Sequence, residues 1–92
     1  HLGLREVTLA GEAVQLSRKE YALLALLLKH AGRVVPQPQL LREVWGPTHE
    51  EDTHYLRILV GKLRQKLHDD AADPQYIVTE PGVGLRFIGV TR

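Results

Sequence analysis

The spacing of apolar residues along this chain changes from two to about 3.6 and back again, and each change marks an element. Leu4, Val7, Leu9, Val14 and Leu16 alternate with polar residues around Gly11, which predicts a short antiparallel strand pair. Ser17 and Glu20 then form an S-x-x-E capping box, with Leu16 and Tyr21 placed for a hydrophobic staple, so a helix is predicted from Ser17. It runs through Ala22 to His30 and is expected to stop at Gly32, in a left-handed cap. Leucine on nearly every side of it predicts a central, buried helix. After an extended Val34-Val35, Leu40, Leu41, Val44 and Trp45 recur at helical spacing up to Gly46, with two prolines where a first turn tolerates them.

Residues Gly46 to Asp52 read as an exposed loop whose carboxylates favour the start of the next helix. That helix is predicted over Thr53–His68, with Leu56, Val60, Leu63 and Leu67 on one stripe. The segment from His68 to Pro74 is a polar break. Two strand-like runs follow, Tyr76 to Thr79 and Leu85 to Ile88, joined by a turn containing Pro81 and Gly82. The order of elements predicts an α+β fold, a winged helix-turn-helix: N-terminal antiparallel strands, three helices and a C-terminal β-hairpin wing. A single domain over 1–92 is expected.

Composition adds limits. Ninety-two residues, 43% hydrophobic, suffice for one small core, and a net charge of +1 does not by itself mark a partner for a polyanion. With no cysteine there is no disulfide framework, thiolate site or thiol nucleophile. The longest apolar stretch, Tyr21 to Leu28, is far short of the roughly 20 residues that cross a bilayer, and the N-terminus has no signal pattern. A soluble, cytoplasmic protein without membrane association is expected.

The distribution of charge is more informative than its sum. Thr53 to His68 contains Arg57, Lys62, Arg64 and Lys66 and no carboxylate. At about 100° per residue, His54, Ile58, Gly61 and Gln65 fall opposite the apolar stripe, with Arg57 and Arg64 on one flank and Lys62 toward the other. Such a helix can dock on its own protein by one face and present cations to nucleic acid by the other. Gly61 would permit close approach, Arg57 could donate bidentately to guanine, and Ile58 could meet a thymine methyl. Base contacts are therefore expected from Arg57, Ile58, Gly61 and Lys62.

The motifs L-S-x-x-E-x-x-L-L-x-x-L (Leu16 to Leu27), Q-L-L-x-x-V-W-G (Gln39 to Gly46), L-R-x-K-L (Leu63 to Leu67) and G-x-G-x-R-F (Gly82 to Phe87) occur in this order. Together they resemble the effector domain of OmpR/PhoB-type response regulators over nearly the whole chain. His54 to Leu67 is most similar to a branch controlling a potassium-uptake operon. The resemblance implies sequence-specific binding of double-stranded DNA at tandem half-sites, with a dimer on DNA. It also implies a receiver domain and sensor kinase in the full-length protein. Helix 53–68 would enter the major groove, and wing 79–86 would lie near the adjacent minor groove. Residues Thr48, His49, Glu50 and Glu51 would face RNA polymerase.

In the family, positions matching Ile58, Lys62 and Arg64 contact DNA, and those matching Trp45 and Thr79 support phosphate contacts. Phosphate contacts are expected from Trp45, His54, Arg64, Thr79 and Arg86. Each has a competing account: Ile58 at the edge of the core, Trp45 as core packing, Thr79 as an ordinary strand residue, Arg86 paired with an acidic neighbour. Pro81 stands where some family members carry a wing-tip arginine, which puts minor-groove reading by the wing in doubt. Leu85 stands where tyrosine is common.

Two other classes compete. His49, Glu50, Glu51, Asp52 and His54 are ligand and acid–base residue types, but the two histidines are not at i and i+4 on one helix face. No enzyme, metal or cofactor is expected. A winged helix used only for protein contact is the remaining alternative.

Overall fold

The computed structural model describes residues 6–9 and 11–89. Leu4 of the predicted alternation lies outside them. Strands β1 (Glu6–Leu9) and β2 (Glu12–Gln15) pair antiparallel, with Val7 opposite Val14 and Leu9 opposite Glu12.

Helix α1 spans Arg18–Lys29, with Ser17 as its N-cap. Both halves of the capping box form: the Glu20 N–H donates to Ser17 Oγ at 3.2 Å, and the Ser17 N–H donates to Glu20 Oε1 at 3.0 Å. Two backbone donors without helical partners are thereby satisfied. The staple contributes little burial, because Leu16 enters the core while Tyr21 stays 43% exposed. The helix ends at Lys29, before Gly32. His30 caps it, and a turn from His30 to Arg33 carries Gly32 at φ +85° into a hydrogen bond with the Phe87 carbonyl. Nor is α1 buried all round: Leu23, Leu24, Leu26 and Leu27 face inward, while Tyr21 and Ala25 face solvent.

The extended Val34-Val35 becomes a strand, β3 (Val34–Pro36), followed by α2 (Gln37–Val44). Helix α3 covers Thr53–Leu67, then β4 (Ile77–Glu80) and β5 (Gly84–Phe87) form the hairpin. These strands sit one residue away from the predicted runs, and β3 pairs on the other edge of β5 to give the order β3-β5-β4. Gly84 makes that third strand possible. A Cβ there would lie 1.9 Å from the Val35 carbonyl oxygen, so only glycine lets the two strands meet. Gly82, at φ +75°, supplies the turn before it.

The core gathers Leu23 and Leu27 of α1, Leu40 and Leu41 of α2, Leu63 of α3, and Val35 and Ile77 of the sheet. On α3 the buried stripe is Leu56, Val60, Leu63 and Leu67 as predicted, widened by Leu59. Leu85, which stands where tyrosine is common in the family, is also buried.

Candidate nucleic-acid interface

Two contacts fix how α3 presents itself. At its C-terminal end Lys66 Nζ reaches Glu20 Oε1 at 2.6 Å, tying α3 to the first turn of α1. The Glu20 side chain is only 5% exposed. Burial alone would push its carboxyl up, but Lys66 and the Ser17 N–H donate to it and hold it below the ordinary value of 4.5. Past the helix, His68 takes a left-handed conformation (φ 55°), and Asp69 turns inward. Its carboxylate accepts the backbone N–H groups of Gln75 (2.6 Å), Tyr76 (3.2 Å) and Ile77 (2.9 Å). The polar break of the sequence is therefore an anchor that delivers β4 beside α3.

Arg64 completes this junction. Its Nη2 donates to the Ile77 carbonyl at 2.8 Å and to Thr79 Oγ1 at 3.0 Å. Arg64 and Thr79, both expected to contact phosphate, thus form one unit binding helix to hairpin. Arg64 keeps further N–H donors, and the Thr79 hydroxyl, having accepted from Arg64, still has its proton to donate. Arg86 is paired with an acid: its Nη2 lies 3.0 Å from Glu80 Oε2.

Between α3 and the wing runs a cleft of 290 Å³ lined by Gln37, Thr53, Arg57, Arg64, Thr79, Pro81 and Gly82, with Leu56, Val60 and Leu85 at its floor. Arg57 and Arg64 share this flank, as the helical geometry predicts. On the other flank a cleft of 180 Å³ is lined by Trp45, Tyr55, Ile58, Leu59 and Lys62. Trp45 is half-buried and stacks on Tyr55 with ring centroids 6.3 Å apart. His54 packs against the Tyr55 ring at 4.1 Å.

Between the two clefts lies the exposed ridge of α3. Ile58 is 55% exposed, so the edge-of-core account does not hold for it. A Cβ built at Gly61 would meet nothing within 4 Å, so the protein's own packing does not require glycine there. Arg57 and Lys62 have no hydrogen-bond or ion-pair partner among the described residues, whereas Arg64 and Lys66 do.

The segment before α3 is more ordered than the expected loop. Pro47–His49 form a 3-10 turn, and Asp52 occupies the N-cap of α3 without a side-chain capping bond. His49 Nδ1 lies instead 2.7 Å from Asp52 Oδ2, where the ring nitrogen can donate to the carboxylate. Thr48 and Glu51 are exposed, and Glu50 meets Arg42 at 3.4 Å. Sequence reasoning missed Lys19, whose Nζ sits 5.6 Å from the centroid of the Trp45 ring. Its place in the first turn of α1 gives no signal of that contact.

An α3 whose Arg57 and Lys62 have no protein partner among the described residues, flanked by a hairpin wing, defines a winged-helix domain of the kind found in transcription regulators. Residues 11–87 match the family described as "Transcriptional regulatory protein, C terminal". The chain belongs to that family, the OmpR/PhoB-type effector domains. It is 49% identical over 87 residues to the KDP operon transcriptional regulatory protein KdpE of Escherichia coli K12, covering 95% of this chain and 39% of that protein. It is 41% identical over 83 residues to the transcriptional regulatory protein KdpE of Mycobacterium tuberculosis, covering 90% and 37%.

Among solved structures it is similar to the Klebsiella pneumoniae RstA DNA-binding domain in complex with the RstA box. The TM-score is 0.83 at 32% identity, covering 90% of this chain and 82% of that one. The chain therefore spans about two fifths of the curated relatives' length. These matches give no support to the reading as a module for protein contact alone. No described helix is long and apolar enough to cross a membrane.

Proposed function

We propose that this domain binds double-stranded DNA sequence-specifically as the effector domain of a two-component response regulator. One observation carries the reading. The exposed ridge of α3 and its flanks carry two cations without hydrogen-bond or ion-pair partners among the described residues, an exposed isoleucine and a glycine that packing among those residues does not need. Glycine inside a helix costs about 1 kcal/mol relative to alanine, and close approach to a groove gives that cost a purpose.

With α3 in the major groove, Arg57, Ile58, Gly61 and Lys62 meet base edges, and the ridge is bracketed by donors to phosphate. The wing-side cleft offers Arg64 and the Thr79 hydroxyl; the other flank offers Trp45, with His54 at the start of the helix. Arg86 keeps Nη1 for phosphate beyond its pairing with Glu80. The wing follows the adjacent minor groove, where Pro81 offers no donor.

Tandem half-sites would hold a dimer, and Thr48, His49, Glu50 and Glu51 would meet RNA polymerase. In the full-length cytoplasmic protein, a receiver domain answering to a sensor kinase would control the dimer. Similarity to KdpE makes a potassium-uptake operon the proposed target.

Selection of bound sequences from a random duplex pool, followed by transcription from a template carrying the winner, tests this. Tandem sites about one helical turn apart and altered transcription are expected. A pool that shows no sequence enrichment at any salt concentration would refute the reading.

A further inference from the structure

The expected DNA contacts on the flank of α3 away from the wing are Trp45 and Lys62, and the structure adds a third group to them. Lys19 projects from the first turn of α1 so that its ammonium lies 5.6 Å from the centre of the Trp45 ring. That indole stacks on Tyr55 of α3 and shares a cleft with Lys62. Three elements distant in sequence thus bring two cations and an indole together.

The manner in which Lys19 is held decides what it can do. Lys66 is neutralised by Glu20, whereas Lys19 is exposed and has no carboxylate within ion-pair distance among the described residues. A cation over an aromatic face is attracted to the ring's quadrupole within about 6 Å, which orders the side chain without cancelling its charge. The three N–H donors of the ammonium remain available. The Trp45 indole N–H, for which no protein partner is found among the described residues, is a further donor on this flank.

We infer that Lys19 and Trp45, beside the base-facing Lys62, form a second phosphate-binding site, engaging the DNA backbone on the flank opposite the wing-side cleft. The inference rests on the DNA-binding reading above and extends it to α1, so that two backbones are gripped with the ridge of α3 between them. A site of this composition has no base-reading geometry; it positions the helix and favours every sequence alike.

The test is the salt dependence of binding to a random-sequence duplex, measured for wild type, Lys19→Met, Lys19→Arg and Lys29→Met. Methionine keeps an apolar stem over the indole and removes the charge; Lys29, at the far end of the same helix, is the control. Lys19→Met should flatten the slope of log affinity against log salt by about 0.9, the value for one phosphate contact. It should also weaken random and selected sequences by the same factor, while Lys19→Arg and Lys29→Met keep the wild-type slope. An unchanged slope in Lys19→Met, with wild type binding normally, overturns the inference and leaves the DNA-binding reading standing. No binding by wild type at low salt would overturn both.

Discussion

In the last turn of α3, Arg64 and Lys66 donate to groups of the protein itself, Arg64 to the hairpin and Lys66 to the buried Glu20. In the turns before it, Arg57 and Lys62 have no such partner among the described residues, and Ile58 and Gly61 lie bare beside them. Along the sequence these four cations are equivalent. In the fold one pair orients the helix and the other is left to meet a ligand. A helix that must place its side chains accurately in a groove needs both: a fixed end, and an end whose charges are not already satisfied.

The fixed end should show the largest effect when broken. Asp69→Ala removes the acceptor of three backbone N–H groups, at least one of them fully buried. A loss of about 3 kcal/mol in denaturant-measured stability is expected, since a stranded buried donor costs roughly 1–3 kcal/mol. A loss below about 0.5 kcal/mol would mean that the junction between α3 and β4 does not depend on it.

Glu20→Gln is a subtler break, because glutamine at the same position can still complete the capping box. It removes only the charge facing Lys66. With Lys66 40% exposed and screened, a cost of about 1 kcal/mol near neutral pH is expected. The folded carboxyl titrates below 4.5, so on acidification the unfolded state takes up protons first, and stability falls with pH. The contribution is present above about 4.5 and is lost as pH drops through the folded value. Wild type should therefore show a steeper acid limb in a pH series of unfolding midpoints than Glu20→Gln; parallel limbs would contradict the lowered carboxyl.

At the free end, Gly61→Ala should move stability and binding in opposite directions. The added methyl meets open space and improves helix propensity, so the domain should gain about 0.5–1 kcal/mol in stability. Affinity for the selected site should fall. A variant that is more stable and binds equally well would remove the need for close approach at this position.

The smallest effects sharpen the contrast between the two sets of cations. Lys62→Ala should flatten the salt slope by up to about 0.9 with no change in stability. Arg64→Ala should lose about 1 kcal/mol of stability through the stranded Ile77 carbonyl, with a smaller change in slope. Equal slopes and equal stabilities for the two variants would mean that Lys62 and Arg64 play the same part.

Much of this architecture was legible because its signals are local. The capping box, the stripe on α3 and the glycines of the wing each lie within a few residues of what they determine. The site was legible in outline for the same reason: helical rotation alone put Arg57 with Arg64 on one flank and Lys62 on the other. What the chain conceals is pairing at a distance. Glu20 lies 46 residues before Lys66, and the absence of acids within α3 gave no hint that one would arrive from α1. Val34 and Val35 lack the length to announce a strand, and they become one only because Gly84 lets β5 approach. Lys19 and Asp69 carry ordinary helix-start and loop signatures; their roles follow from tertiary contacts with Trp45 and with β4.

The part of α3 whose cations have no protein partner among the described residues should read bases, and Arg57 offers the most direct test of that role. Its guanidinium fork matches the major-groove edge of guanine, a pair worth roughly 1–3 kcal/mol of discrimination. The measurement is binding of wild type, Arg57→Ala and Arg57→Lys to the selected duplex and to every single-base change across it. Arg57→Ala should lose most of its preference at one guanine while binding random DNA nearly as well as wild type. Arg57→Lys should recover affinity but only part of that preference, because an ammonium lacks the planar fork. A uniform loss over all sequences, with no single base position becoming indifferent, would show that Arg57 contacts phosphate and that base reading lies elsewhere on the helix.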